Sequence, residues 1–400
     1  MTIARRRFLV SALAGAATLP IIGRAVAQTS PSPAPAARGG AAAEAAREAG
    51  AMELAILADA PSTPTGLAIS PKGRVFVMMP RFTGREPYTL GEVAPDGSVT
   101  PYPDQGTNTL DPERPQATLF HVPNGVFDRA GKLWLLDAGL PNGSGPPVPG
   151  GTKLVQMDID TDEVLRVVPL DPGVEPTSSL NDLRIDIADG RARAFVTDQG
   201  QDGQGAILAV DLDTGRVVRR LGSHASTRSQ KGVQKFVEHR PVLRDTGSGK
   251  PQPVQGGANG IALGPDGRRL YWAPLIGRRL YAVDTDSLLD AAQTDANVAA
   301  GVEDLGEKGM TGGLGADAKD RVYLTLQEQN ALGRRLPDGT IEVLGSDPRL
   351  IWADTIVITE DRWLYVSAAQ VNRRPEYNGG TDLQKPPYAI LRIRIDAGPA

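Results

Sequence analysis

An all-β fold, built as a closed ring of six four-stranded sheets, follows from three features of this sequence. The 400 residues carry 46 Gly and 33 Pro but only 5% aromatic residues, a load that favours many turns and few long helices. One pattern recurs six times at a mean spacing of about 58 residues: a small or polar residue, an apolar strand, a Pro/Asp/Gly turn, then a second apolar strand with aromatics. A further hairpin falls between successive copies, which gives four antiparallel strands per unit. Six such units set radially make a six-bladed β-propeller.

Along the chain, residues 1–27 read as an export signal. Arg5-Arg6-Arg7 is followed by Phe8-Leu9-Val10 and an apolar run to Ile22, and Ala25-Val26-Ala27 supplies a small-x-small cleavage pattern. The run is too short to span a membrane. Arg5-Arg6-x-Phe8-Leu9 is similar to the twin-arginine export motif, with Ala4 where Ser or Thr is usual. The expected location is therefore periplasmic or secreted, with no stable membrane association after cleavage. Residues 28–51 are a Pro/Ala-rich flexible linker, and residues 52–396 are the propeller.

The six repeats begin at Thr65-Gly66-Leu67, Asn124-Gly125-Val126, Asn181-Asp182-Leu183, Asn259-Gly260-Ile261, Gly312-Gly313-Leu314 and Asp354-Thr355-Ile356. Turns at Pro95-Asp96-Gly97, Asp160-Thr161-Asp162, Asp213-Thr214-Gly215 and Pro337-Asp338-Gly339 mark second hairpins between them. The last unit holds one strand too few and Glu53–Ala58 is a strand to spare, so this N-terminal strand is expected to close the last blade. The stretch 222–257, which carries His224, Lys231, Lys235 and His239, lacks a period; a loop of this length reads either as a lid or binding loop or as a plain surface excursion.

In a propeller, equivalent positions form rings about the axis. The residues before the inner strands are Thr65, Asn124, Asn181, Asn259, Gly312 and Asp354, and the second strands end at the same mouth with Arg81, Asp137, Asp198, Glu328 and Gln370. An oxygen-rich mouth suits a small polar ligand or a hard cation. The expected ligand contacts are Asn124, Asn181, Asn259, Asp354, Arg81, Asp137 and Gln370. Asn181, Asn259 and Asp198 are the expected ligands of a calcium ion, should one be held. Were the protein an enzyme, Asp198, Glu328 or His121 would be the general base. The competing reading is that Asn and Asp before strands satisfy turn backbone.

Other chemistry is excluded or unsupported. Cys is absent, which removes disulfides, thiolate metal sites and thiol nucleophiles. Lys and Arg number 43 against 47 Asp and Glu; without the four Arg of the signal the balance is 39 against 47, and such an acidic chain is not expected to bind nucleic acid. His121, His224 and His239 show no metal-ligand spacing. Asp158-Ile159-Asp160-Thr161-Asp162 opens like a calcium loop, but Glu163 and Pro169 replace the required Gly and Glu.

The stretches 258–275 (Ala-Asn-Gly-Ile-Ala-Leu-Gly-Pro-Asp-Gly through Leu275), 347–355 (Asp-Pro-Arg-Leu-Ile-Trp-Ala-Asp-Thr) and 373–388, with Lys385-Pro386-Pro387-Tyr388, resemble the major royal jelly protein/yellow family in its bacterial, dopachrome-tautomerase-related branch. The resemblance implies a six-bladed propeller that takes a biogenic-amine-like molecule in its channel, or converts dopachrome. A more distant resemblance is to the senescence-marker/gluconolactonase propellers, whose metal is held by a Glu, two Asn and an Asp. Asn181 and Asn259 match the two Asn, but Thr65 and Gly312 stand where the carboxylates would be. The expectation is thus an exported propeller binding a small polar or aromatic amine-like molecule. The alternative is a tautomerase or lactonase acting at the same site.

Overall fold

The computed structural model describes residues 51–188 and 190–400. The export signal and most of the linker lie outside the described residues. Six four-stranded antiparallel sheets follow one another, and the inner strands are Gly66–Ile69, Asn124–Phe127, Leu180–Ala188, Ala258–Leu263, Leu314–Ala316 and Ala353–Ile358. Each inner strand packs beside the inner strands of both neighbouring sheets, and the sixth returns to the first, so the six-bladed ring expected from the repeats is present. In the sixth sheet Glu53–Ala58 pairs antiparallel with Tyr388–Arg394, from Glu53 opposite Arg392 to Ala58 opposite Tyr388.

The alternation of each strand buries one apolar row against each neighbouring blade. Between blades 1 and 2, Phe76, Met78, Leu90, Leu133 and Leu135 form one core, and between blades 5 and 6, Tyr323, Leu332, Leu364, Val366 and Leu391 form another. Four further inter-blade clusters complete the circle. The two largest fully buried side chains, Trp134 and Trp272, satisfy their indole N–H groups on Asp128 Oδ2 and Ser226 O, both at 2.9 Å. Blade 4 departs from the sequence pattern. Its outer strand Glu303–Glu307 comes only after two short helices, Thr285–Leu289 and Asp295–Ala300, each N-capped by a side chain, Asp284 and Thr294.

Residues 222–257 form a lid over the mouth where the inner strands start. The lid is tied to blades 3 and 4 by Ser223 N to Gly205 O (2.9 Å) and Gln230 N to Ile276 O (2.7 Å), and to the long blade 6 loop by Asp245 N to Glu376 O (2.8 Å). It thus reaches from blades 3 and 4 to blade 6 on that face. Its apolar side chains Val237, Val242 and Val254 pack on Ile276, Met310, Ile351, Trp352 and Val371. The Glu238 carboxylate clamps Arg373, at 2.6 and 2.9 Å.

Candidate functional site

The residues at the inner-strand starts hold the ring together. Thr65 Oγ1 donates to Pro123 O (3.1 Å), Asn124 Nδ2 to Asp182 Oδ1 (2.7 Å) and Thr197 Oγ1 to Asn259 O (2.6 Å). Asn259 Nδ2 donates to Gly312 O (3.0 Å), Gln327 Nε2 to Ala353 O (2.7 Å) and Thr355 Oγ1 back to Thr65 O (2.9 Å). Each bond joins one blade to the next. These polar groups are buried where six sheet edges meet, and an unpaired one there would cost about 1–3 kcal/mol. Asn124 stands one step further along its strand than the repeat suggested. Pro123 O receives the bond from Thr65 as Gly312 O receives that from Asn259, so Asn124 belongs to the layer of Asp182 and Thr355.

Two ring residues keep their functional groups out of this circuit. Among the described residues Asn181, at an irregularity of its strand, makes no side-chain hydrogen bond, and Asp354 makes none to another blade. Both retain accessible surface in the channel although the lid lies above them. Gly312 makes room for Asp354: a Cβ there would lie 3.1 Å from Asp354 Oδ1 and 2.5 Å from Gln327 Nε2. Desolvation of the Asp354 carboxyl pushes it up to about 7. The Lys235 ammonium and a hydrogen bond with Trp352 oppose the rise, and the Asp182 carboxylate adds to it. Burial also raises Asp182, against the pull of Arg184, the Leu183 N–H and Asn124. The bonds from Asn124, Leu183 N and Arg184 all converge on its Oδ1.

Lys235 comes from the lid and was not singled out as a site residue by the sequence, because it lies in the stretch without a period. It is fully buried, its Nζ has no hydrogen-bond partner among the described residues, and that atom sits 4.3 Å from the centre of the Trp352 ring. Burial lowers its affinity for a proton to about 7, with Asp354 and Glu328 opposing.

The second-strand residues do different work. Each carboxylate oxygen of Asp137 accepts two bonds, from Phe120 N, His121 N, Gly139 N and the buried Lys153 Nζ. Asp198 is engaged likewise by Ser178 Oγ, Ser179 N, Gly200 N and Arg219. Arg81 spends its guanidinium on Glu86 O and Asn108 O. Gln370 ties the blade 6 loop through Lys385 N, Lys385 O and Arg373. These four are structural fasteners at the mouth rather than free ligand contacts. His121 is buried, bonded through Nδ1 to Arg81 O at 3.1 Å, and kept neutral because desolvation lowers it to about 4. Glu328 pairs with Arg278 at 2.8 Å and keeps partial exposure beside the lid.

Of the residues named for calcium, Asp198 accepts hydrogen bonds on both carboxylate oxygens, and Asn259 gives its Nδ2 to Gly312 O. Beyond the ring, towards the other face, the channel turns apolar. Leu67, Val126, Phe127, Ile185, Leu263 and Ile356 line a cavity of about 210 Å³ there.

The family description Major royal jelly protein matches residues 125–396. The chain belongs to the major royal jelly protein family. Major royal jelly protein 3 of Apis mellifera is 27% identical over 205 residues, covering 50% of this chain and 34% of that protein. Protein yellow of Drosophila melanogaster is 28% identical over 252 residues, 56% of this chain and 41% of that protein. The alignments thus span less than half of each relative. Among solved structures, a calcium-binding protein, regucalcin, from Agrobacterium tumefaciens superposes with a TM-score of 0.50 at 16% identity, over 87% of this chain and 97% of that one. That likeness concerns the fold alone. Within the royal jelly family fold, this chain offers a channel with the Asp354 carboxyl, the Asn181 amide and a buried amine outside the inter-blade circuit.

Proposed function

We propose that this propeller is an exported protein that binds a small polar or aromatic amine-like molecule in its channel, under the lid. One observation carries the reading. Asp354 and Asn181 stay out of the inter-blade circuit that consumes their ring neighbours, and Asp354 shares the channel with a second carboxylate, Asp182. Two carboxylates in one desolvated space raise each other's proton affinity, and a ligand ammonium between them removes that repulsion. Asn181 supplies both a donor and an acceptor for a hydroxyl or carbonyl on the ligand. Trp352, beside Asp354, supplies an aromatic face. The countercharge thus falls to Asp354, while Asp137, Asp182, Asp198 and Glu328 already hold Lys153, Arg184, Arg219 and Arg278.

A second reading, an enzyme of the tautomerase type, draws support from the same carboxyl. A group titrating near 7 can both give and take a proton at working pH. Thermal-shift screening of the purified chain with amines, catechols and sugar acids, alone and as Asp354→Asn, tests the binding reading. The expected result is a shift from cationic aromatics that Asp354→Asn abolishes; no shift from any compound would refute it. Dopachrome turnover lost in Asp354→Asn would move the balance to the enzyme.

A further inference from the structure

A buried lysine in this protein is ordinarily paired, and Lys153 shows how. It is 1% exposed, and its Nζ lies 2.7 Å from Asp137 Oδ2 and 3.1 Å from Gly151 O. Lys308, at 3% exposure, likewise gives its Nζ to Gly309 O at 2.8 Å. Lys235 is more deeply buried than either and has no such partner. Leaving a buried polar group unpaired is costly, and groups left so concentrate where a site has chemistry to do.

The surroundings of Lys235 are those that activate an amine. Trp352 lies against its Nζ, and Val237, Val242, Met310 and Ile351 belong to the same apolar cluster as that ring. The Lys235 charge in turn lowers the neighbouring buried Lys308. A lysine desolvated beside apolar surface is held as the neutral, nucleophilic amine. Asp354 faces it from blade 6 as a carboxyl able to donate or accept a proton. Two more orphans lie at the neighbouring blade 5 edge. Thr311 Oγ1 and Gln327 Oε1 are buried without partners, while Gln327 Nε2 bonds Ala353 O beside Asp354.

We propose that Lys235 Nζ captures an aldehyde or ketone entering the channel as a covalent imine, with Asp354 as the proton carrier. This rests on the channel being a ligand site, as read above. The amine lone pair forms the N–C bond while the C=O π pair moves onto oxygen. One proton passes from nitrogen to that oxygen by way of Asp354, giving a carbinolamine. Asp354 then protonates the hydroxyl, the C–O bond breaks, water leaves, and the nitrogen lone pair completes C=N. The Asp354 carboxylate takes back the proton from the iminium nitrogen. The sum is amine plus carbonyl giving imine plus water, with no change of oxidation state. While the iminium carries its charge, Trp352 lies against it.

The test uses the full chain, incubated near neutral pH with 4-hydroxybenzaldehyde or dihydroxyacetone and sodium cyanoborohydride, then read by intact mass and peptide mapping. The expected result is a single reduced adduct on Lys235. It should form at least about tenfold faster than on exposed Lys72, because a far larger share of the buried amine is unprotonated. The adduct should be absent in Lys235→Arg and slowed in Asp354→Asn. Lys235→Met, which keeps the position apolar and uncharged, serves if the arginine disturbs folding, and the map of the wild-type chain decides without either variant. Adducts spread over surface lysines with Lys235 unmodified would overturn the inference. An amine-induced thermal shift that persists in such a case leaves the non-covalent reading standing, whereas loss of both would remove the channel site altogether.

Discussion

Replacing Asp354 with Asn should flatten the pH dependence of stability between about pH 4 and 7. The carboxyl is displaced from 3.8 to about 7, chiefly by burial. At about 1.4 kcal/mol per pH unit the full displacement corresponds to roughly 4 kcal/mol, and allowing half for the accessible surface it keeps in the channel leaves about 2 kcal/mol. The sign follows from the proton. A carboxyl raised in the folded state contributes stability that is fully present below its unfolded value and lost as pH rises through its folded value. The native protein should therefore lose about 2 kcal/mol between about pH 4 and 7, with Asp182 acting in the same direction. Lys235 acts in a separate window. Its amine is lowered from 10.5 to about 7, so stability should recover as pH rises from 7 towards 10.5, leaving a minimum near neutrality. Urea unfolding at constant ionic strength across this range, for the native chain, Asp354→Asn and Lys235→Met, reads both limbs. Asparagine should remove most of the acid limb and methionine the alkaline one. An acid limb of undiminished size in Asp354→Asn, or native stability that climbs between about pH 4 and 7, would refute the reasoning.

Four further outcomes are expected. Asp137→Ala strands the buried Lys153 and three backbone N–H groups, and should cost about 3–5 kcal/mol in urea unfolding while leaving any amine-induced shift of the folded protein in place. Gly313→Ala puts a Cβ 2.1 Å from Asp354 O, so neighbouring inner strands must part; about 1–3 kcal/mol of stability and part of the amine response should go together in a thermal-shift assay. A chain begun at Pro61 lacks Glu53–Ala58 and bares the edge of Tyr388–Arg394; its Tm should fall by several degrees and size-exclusion chromatography should show association. Export with cleavage after Ala27 should give a mature protein beginning at Gln28 by mass spectrometry, and Arg5→Lys combined with Arg6→Lys should stop it.

Much of the architecture was legible because propeller grammar is local. Strand alternation, Asp-Gly turns and a repeated small-polar start each lie within about ten residues, and six copies leave little choice of ring size. Blade 4 was legible only in part, since two capped helices separate its third and fourth strands and break the spacing. The ring at the inner-strand starts was visible as a list of polar residues, but their duties were not. Asn259 and Asn124 look alike in sequence, yet one donates to a backbone carbonyl of the next blade and the other to a side chain. Lys235 carried no periodic signal at all. What could have marked it is its company in the long loop, a lysine set just before Phe236-Val237 in a segment otherwise polar.

By itself the order of residues decided the sheet count, the strand direction and which positions border the axis, because these follow from periodicity and turn chemistry within each unit. Only the closed ring decided which border groups remain free. A hydrogen bond such as that from Asn124 to Asp182 joins residues 58 apart, and its partner exists only once two blades are side by side. Asp137 and Asp198 were consumed by backbone and by Lys153 and Arg219, whereas Asp354 was left facing an amine delivered from across the mouth. Burial and charge are sums over everything nearby in space, and that neighbourhood is assembled by folding from distant parts of the chain.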